Sequence, residues 1–155
     1  MDTFEQIISA FEAIEKDMKL IFPIHPRTRK NIKGTDHGKR TEAMENLFLL
    51  DPIGYLDFLC LMSNSAFVIT DSGGIQEETT ILGVPCMTLR ENTERPVTIT
   101  EGTNRLVHVT TEDILENYKQ IKESKFDVSG QIPKFWDGKA ADRIAAIIAD
   151  TLNLK

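Results

Sequence analysis

Apolar residues recur at three- and four-residue steps near the amino terminus, where Phe4, Ile7, Ile8, Phe11 and Ile14 share one face and predict a helix. Thr3 followed by Gln6 has the spacing of a capping box at its start. The apolar run Leu20–Ile24 reads as a buried strand. Residues 26–46 are polar and rich in basic side chains, and a short helix is expected at their end, before a second strand at Leu47–Leu50. Residues 54–63 suit a helix with Leu56, Leu59 and Cys60 inward. The β-branched run Ala66–Thr70, bounded by a turn signal, predicts a third strand. A helix from Gly74 to Leu82 is stopped by Gly83, a common terminator. Cys86–Leu89 and Leu106–Val109 predict two more strands. Thr111 is placed to cap a helix running to about Glu123. Beyond a loop with Gly130 and Pro133, a last helix is expected over 138–152, with Ile144, Ile147, Ile148 and Leu152 on one face and Trp136 packed near its start.

Strands alternating with helices in this way predict an α/β domain, doubly wound around a mostly parallel sheet. Ligands of such sheets bind beyond the carboxyl ends of the strands. The 155 residues suit one domain. With 18 basic and 24 acidic residues the formal charge is −6, which disfavours sequence-independent nucleic-acid binding. No apolar stretch is long enough to cross a membrane, and the amino terminus lacks a signal-peptide pattern, so a cytoplasmic location is expected. Cys60 and Cys86 sit in apolar runs without metal-site spacing and read as buried free thiols.

Chemistry concentrates in Thr70-Asp71-Ser72-Gly73-Gly74, directly after a strand and opening a helix. Glycines allow close approach of a phosphate, and a helix amino terminus offers free N–H donors and partial positive charge. The same spacing also describes a plain strand-to-helix turn capped by Asp71 or Ser72. Glu77 and Glu78 follow; either is an acid near a helix start, or one of them accepts the hydroxyls of a ribose. Arg95, in the polar run Arg90–Pro96, falls where it can reach a diphosphate. His25 and Arg27 follow the first strand and either face the same cleft or stabilise local backbone. Phe58 reads first as a core residue.

Together these strings resemble the non-hydrolysing UDP-N-acetylglucosamine 2-epimerases. The resemblance is carried by Phe22-Pro23-Ile24-His25-Pro26-Arg27, by Leu50-Asp51-Pro52 with Tyr55-Leu56-Asp57-Phe58, and most specifically by Asp71-Ser72-Gly73-Gly74-Ile75-Gln76-Glu77-Glu78. Gly83-Val84-Pro85, Arg90 to Pro96, Gly102-Thr103-Asn104 and Asp137-Gly138-Lys139-Ala140-Ala141 extend it over nearly the whole chain. It implies the Rossmann-like second domain of a two-domain, glycosyltransferase-B-like fold. It implies UDP and UDP-N-acetylglucosamine as ligands, with Ser72, Gly73 and Gly74 on the diphosphate, Arg95 beside it, Glu78 on the ribose, and Ile53 and Phe58 by the uracil. His25 would touch a second, regulatory nucleotide sugar. The implied reaction inverts C2 of the sugar by expelling and re-adding UDP, without cofactor or metal. The acids that move the C2 proton lie on the family's first domain, so no catalytic residue is expected in this chain.

The resemblance further implies a homodimer for the full-length enzymes. It sets the chain as one UDP-binding domain, 1–155, that begins past the family's first domain and past the first strand and His-Arg-x-Glu-Asn loop of the second. That strand is normally central, so a gap in the sheet is expected. A stand-alone nucleotide-sugar-binding module and the donor-binding half of a glycosyltransferase are the competing readings.

Overall fold

The computed structural model describes residues 3–126 and 132–152. Helix α1 (Thr3–Ile14) leads into strand β1 (Leu20–Pro23), followed by α2 (Pro26–Ile32), α3 (Asp36–Ala43) and β2 (Leu47–Leu50). Then come α4 (Tyr55–Ser63), β3 (Val68–Thr70), α5 (Gly73–Leu82), β4 (Cys86–Thr88), the short α6 (Val97–Thr100), β5 (Asn104–Leu106), α7 (Thr111–Lys122) and α8 (Ala140–Thr151). Every strand pairing is parallel, and the chain has the doubly wound, Rossmann-like α/β fold that its alternating pattern predicts.

The sheet comes in two parts. One is β1–β2, with Leu20 opposite Leu47; the other is β3–β4–β5, with β4 in the middle. β4 is buried at every position, whereas every residue of β1 and β3 is at least partly exposed. Between β1 and β3 runs a slot of about 560 Å³, lined by Leu20–Pro23 on one side and Ala66–Asp71 on the other. Alternation along a parallel strand sends successive peptide groups to opposite edges. Leu20 and Ile24 donate toward β2, and Val68 donates to Pro85 beside β4. The peptide groups of Ile21, Phe67 and Ile69 therefore face the slot.

The core is divided in the same way. Ile14, Met87, Val107, Ile114 and Tyr118 form one cluster with Ala10 and Phe126, beneath β3–β5. Ile8, Met44 and Leu47 form another, beneath β1–β2. Helix α1 contributes to both, because Ile8 and Ile14 sit on different flanks of its apolar face. Its Gln6 reaches across to α7: the side-chain carbonyl accepts from Thr111 N–H at 2.9 Å and from the Thr111 hydroxyl at 2.8 Å. That bond fixes the start of α7, whose own cap is Thr110, accepting from Asp113 N–H. Arg40 of α3 clamps the other side of α1 through Glu5 (2.6 Å) and Glu12 (2.7 Å).

Several expectations need correction. The polar stretch 26–46 holds two helices; Pro26 at the first position of α2 replaces an N–H that would have no partner there. β5 starts two residues earlier than the apolar run suggested, because Asn104 is buried for hydrogen bonding, and it ends at Leu106, with Val107 N–H making a last bond to the Thr88 carbonyl. In α4 almost every residue is apolar, and the inward stripe is Phe58, Leu61 and Met62, which line the slot. Leu56 and Cys60 share the opposite stripe and are exposed, so only Cys86 is a buried thiol. The α8 residues Ile144, Ile147, Ile148 and Leu152 do share one face, but all are exposed, since nothing described packs over that face. Gly130 lies outside the described residues.

Candidate functional site

The candidate site is built on α5, a helix with an unusual inner face. Its buried residues are Gln76, Thr79 and Thr80, with no apolar side chain among them. Polar bonds hold it to the sheet. Asn104 donates from Nδ2 to the Gln76 carbonyl (2.8 Å) and to Thr80 Oγ1 (3.0 Å), and its Oδ1 accepts from the Thr88 hydroxyl at 3.2 Å. These directional contacts fix where the helix starts more narrowly than apolar packing would. Gly83 ends it in the left-handed conformation, φ 70°, which glycine adopts without a Cβ penalty.

At the other end, Ser72 is the N-cap in extended conformation, yet its side chain makes no capping bond. Thr70 Oγ1 instead accepts from Ser72 N–H at 3.0 Å and shapes the turn. The first intrahelical bond runs from Gln76 N–H to the Ser72 carbonyl. A helix start leaves the N–H groups of Gly73, Gly74 and Ile75 directed outward, joined here by an uncommitted Ser72 hydroxyl. A Cβ placed on Gly73 would meet nothing within 4 Å, and one on Gly74 only Ser72 Oγ at 3.9 Å. Packing within the chain does not demand glycine at either position. The glycines keep the space in front of these donors empty, and the donor set suits an anion.

Charged residues stand around this turn. Arg95 Nε donates to Glu77 Oε1 at 2.8 Å, one helical turn from Gly73 on the same face. Glu78 is half-buried beside Tyr55 of α4, and its carboxylate pushes the Tyr55 hydroxyl pKa up from the ordinary value. Tyr55, Leu59, Glu77 and Glu78 line an open cleft of about 530 Å³, together with Phe135, Trp136 and Ala140. Arg95 is thus joined to the helix that the turn opens, through Glu77, and Glu78 lies beside Glu77 on the cleft wall.

Other candidates lie apart. Phe58 lines the slot with Thr70, Asp71 and Ile75, adjoining the start of α5, while Ile53 is half-buried in the connection before α4. His25 is the N-cap of α2, with Nδ1 accepting from Arg27 N–H at 3.2 Å, the local backbone role its position also allowed. Sequence reasoning assigned no role to Tyr55, Gln76, Thr93 or Asn104. The signal available for the last three was a run of polar residues at positions facing a sheet. Among the described residues no group of His, Cys, Asp and Glu is arranged to hold a metal, and no helix is long and apolar enough to cross a membrane.

A sequence model of the family described as UDP-N-acetylglucosamine 2-epimerase matches residues 1–149. The UDP-N-acetylglucosamine 2-epimerase of Methanocaldococcus jannaschii is 40% identical over 139 residues, covering 89% of this chain and 37% of that protein. A crystal structure of the Methanocaldococcus jannaschii UDP-GlcNAc 2-epimerase in complex with UDP-GlcNAc and UDP superposes with a TM-score of 0.75 at 38% identity, over 94% of this chain and 39% of that one. The Neisseria meningitidis UDP-GlcNAc 2-epimerase bound to UDP-GlcNAc gives a TM-score of 0.72 at 30% identity, over 94% and 41%. The chain therefore spans about two fifths of the length of these relatives.

Proposed function

The chain belongs to the UDP-N-acetylglucosamine 2-epimerase family, and we propose that it is the UDP-binding, carboxy-terminal portion of such an enzyme, one Rossmann-like domain over 1–155. One observation carries this reading: the start of α5 presents outward N–H groups and a Ser72 hydroxyl without a capping bond, before empty space at Gly73 and Gly74. In this proposal the diphosphate of UDP or UDP-N-acetylglucosamine sits there. Arg95, leaving Glu77, adds a guanidinium whose planar fork matches phosphate oxygens. Glu78 accepts the ribose hydroxyls, displacing the neighbouring Tyr55 hydroxyl. Phe58 and Ile53, on the segment entering and forming α4, flank the base.

The same arrangement is suited to holding UDP as a leaving group. A fixed set of N–H dipoles and one guanidinium stabilises charge that grows on the diphosphate oxygen as the sugar bond breaks, with little reorganisation. Moving the C2 proton is a separate task needing a base within hydrogen-bond reach. In the structure Glu77 and Glu94 pair with Arg95 and Glu91 with His108, and the family resemblance puts the proton-moving acids on the first domain. The proposal therefore assigns this chain the binding half of the chemistry and leaves proton transfer to the rest of the family's fold. Homodimer formation and a cytoplasmic setting belong to the same proposal.

The test is titration calorimetry with UDP and with UDP-N-acetylglucosamine, paired with proton NMR of the sugar C2 position in heavy water. The expected result is saturable binding of both ligands without deuterium entering C2. Absence of binding at millimolar UDP refutes the reading, and exchange at C2 by this chain alone refutes the division of labour.

A further inference from the structure

A chain of hydrogen bonds ties the buried face of α5 to the loop that carries Arg95. Gln76 is fully buried, and its Oε1 accepts from the Thr93 hydroxyl at 2.6 Å. The same Thr93 oxygen accepts from Arg95 N–H at 2.9 Å. The Arg95 side chain then returns to α5 through Glu77, the residue next to Gln76. The loop is thus pinned at two points of one helical turn, one through backbone and one through side chain. Thr98 closes the arrangement, its hydroxyl donating to the Arg95 carbonyl at 2.8 Å.

Gln76 is an odd choice for packing. Its Nε2 is buried with no partner among the described residues, and an unpaired buried donor is destabilising. An apolar side chain would fill the position without that penalty. What the glutamine supplies is an acceptor at one fixed point, aimed at Thr93, and the peptide bonded to Asn104 holds that point still. A surface arginine without such a support must lose side-chain and loop freedom when it meets an anion.

We propose that Gln76 and Thr93 form a positioning latch that holds the Arg95 loop over the start of α5, so that phosphate recognition begins from an ordered arginine. The inference rests on the diphosphate reading above. Neither latch residue touches the ligand; both act through Arg95.

Thr93→Val keeps the branched shape and deletes the hydroxyl; Thr93→Ser keeps the hydroxyl. Calorimetry with UDP and with uridine separates phosphate recognition from the rest. The expected result for Thr93→Val is a loss of about fivefold to tenfold in UDP affinity, the size of one net hydrogen bond, with uridine affinity unchanged. Thr93→Ser restores UDP affinity, and adding Thr93→Val to Arg95→Ala costs nothing more than Arg95→Ala alone. Without ligand, hydrogen exchange at the Arg95 amide is faster in Thr93→Val. UDP affinity equal to the parent in Thr93→Val, or equal losses for UDP and uridine, overturns the latch while leaving the UDP reading intact. A parent protein that binds no UDP overturns both.

Discussion

Gly73→Val is the sharpest perturbation of the site, because the structure separates its effect on binding from its effect on folding. A Cβ at this position meets no atom within 4 Å, and glycine is not required by a left-handed φ there. Valine is a better helix former than glycine by a few tenths of a kcal/mol, about 0.5 or less. The variant should therefore fold with a melting temperature close to the parent's. The new isopropyl group occupies the space before the Gly73 and Gly74 N–H groups, which is where the proposal puts the diphosphate. Hydrogen bonds to a charged group contribute about 1.5–3 kcal/mol each. Loss of one such bond lowers affinity by roughly ten- to a hundredfold, and steric exclusion of the phosphates lowers it further. Calorimetry with UDP should then lose its heat signal at concentrations that saturate the parent, while circular dichroism shows an unchanged melt. Unaltered UDP affinity in a well-folded Gly73→Val protein would refute the phosphate assignment, whatever else the chain binds.

Further outcomes follow from other contacts. Glu78→Gln should weaken UDP by about one to two decades and leave uracil unaffected; equal losses for both ligands would make Glu78 structural. Gly102→Ala should lower the melting temperature, since its Cβ would lie 2.5 Å from both the Thr98 carbonyl oxygen and Thr80 Oγ1; overpacking of this kind costs about 1–3 kcal/mol, and a thermal melt matching the parent would show that α6 yields freely. The Glu5 and Glu12 carboxyls lie below their ordinary pKa of 4.5, chiefly through hydrogen bonds from Arg40. On acidification the unfolded chain takes up their protons first, so this stabilisation is present above pH 4.5 and fades below it. Arg40→Gln should lower stability at neutral pH and flatten the acid limb of a urea-denaturation series; parallel limbs would show that the clamp is uncoupled from folding.

The alternation of short apolar runs with helices made the α/β class readable, and the Ser72–Glu78 string made the strand-to-helix turn before α5 readable. Both signals are local: a strand needs a few residues of one character, and a helix start needs its cap and glycines. The failures were places where local pattern is silent about neighbours. In α4, seven of nine positions could face inward by hydropathy alone, and the choice of stripe depends on what lies beside the helix. In α8 the apolar face is plain in sequence, yet its exposure depends on what covers it. Gln6, with capping-box spacing to Thr3, bonds across 105 positions of sequence to Thr111. Gln76, Thr93 and Asn104 read as ordinary polar residues, because the buried seam they form draws on α5, β5 and a loop.

The division of the sheet between β1 and β3 bears on cooperativity. Among the described residues no strand pairing carries strain from β1–β2 to β3–β5, and each part has its own apolar cluster. What joins them is α1, with Ile8 in one cluster and Ile14 in the other, together with Leu20 of β1, which packs against both, and α4 across the slot. Melting of β1–β2 therefore need not drag the α5 turn with it, provided that α1 stays docked on α7 through Gln6 and Thr111. The expected behaviour is that of two folding units sharing one beam, to be read as two steps in hydrogen exchange. The beam sets how far damage in the first unit is felt in the second: loosening α1 should weaken both units at once, because Ile8 and Ile14 serve different clusters, whereas loosening β2 should leave the turn before α5 standing.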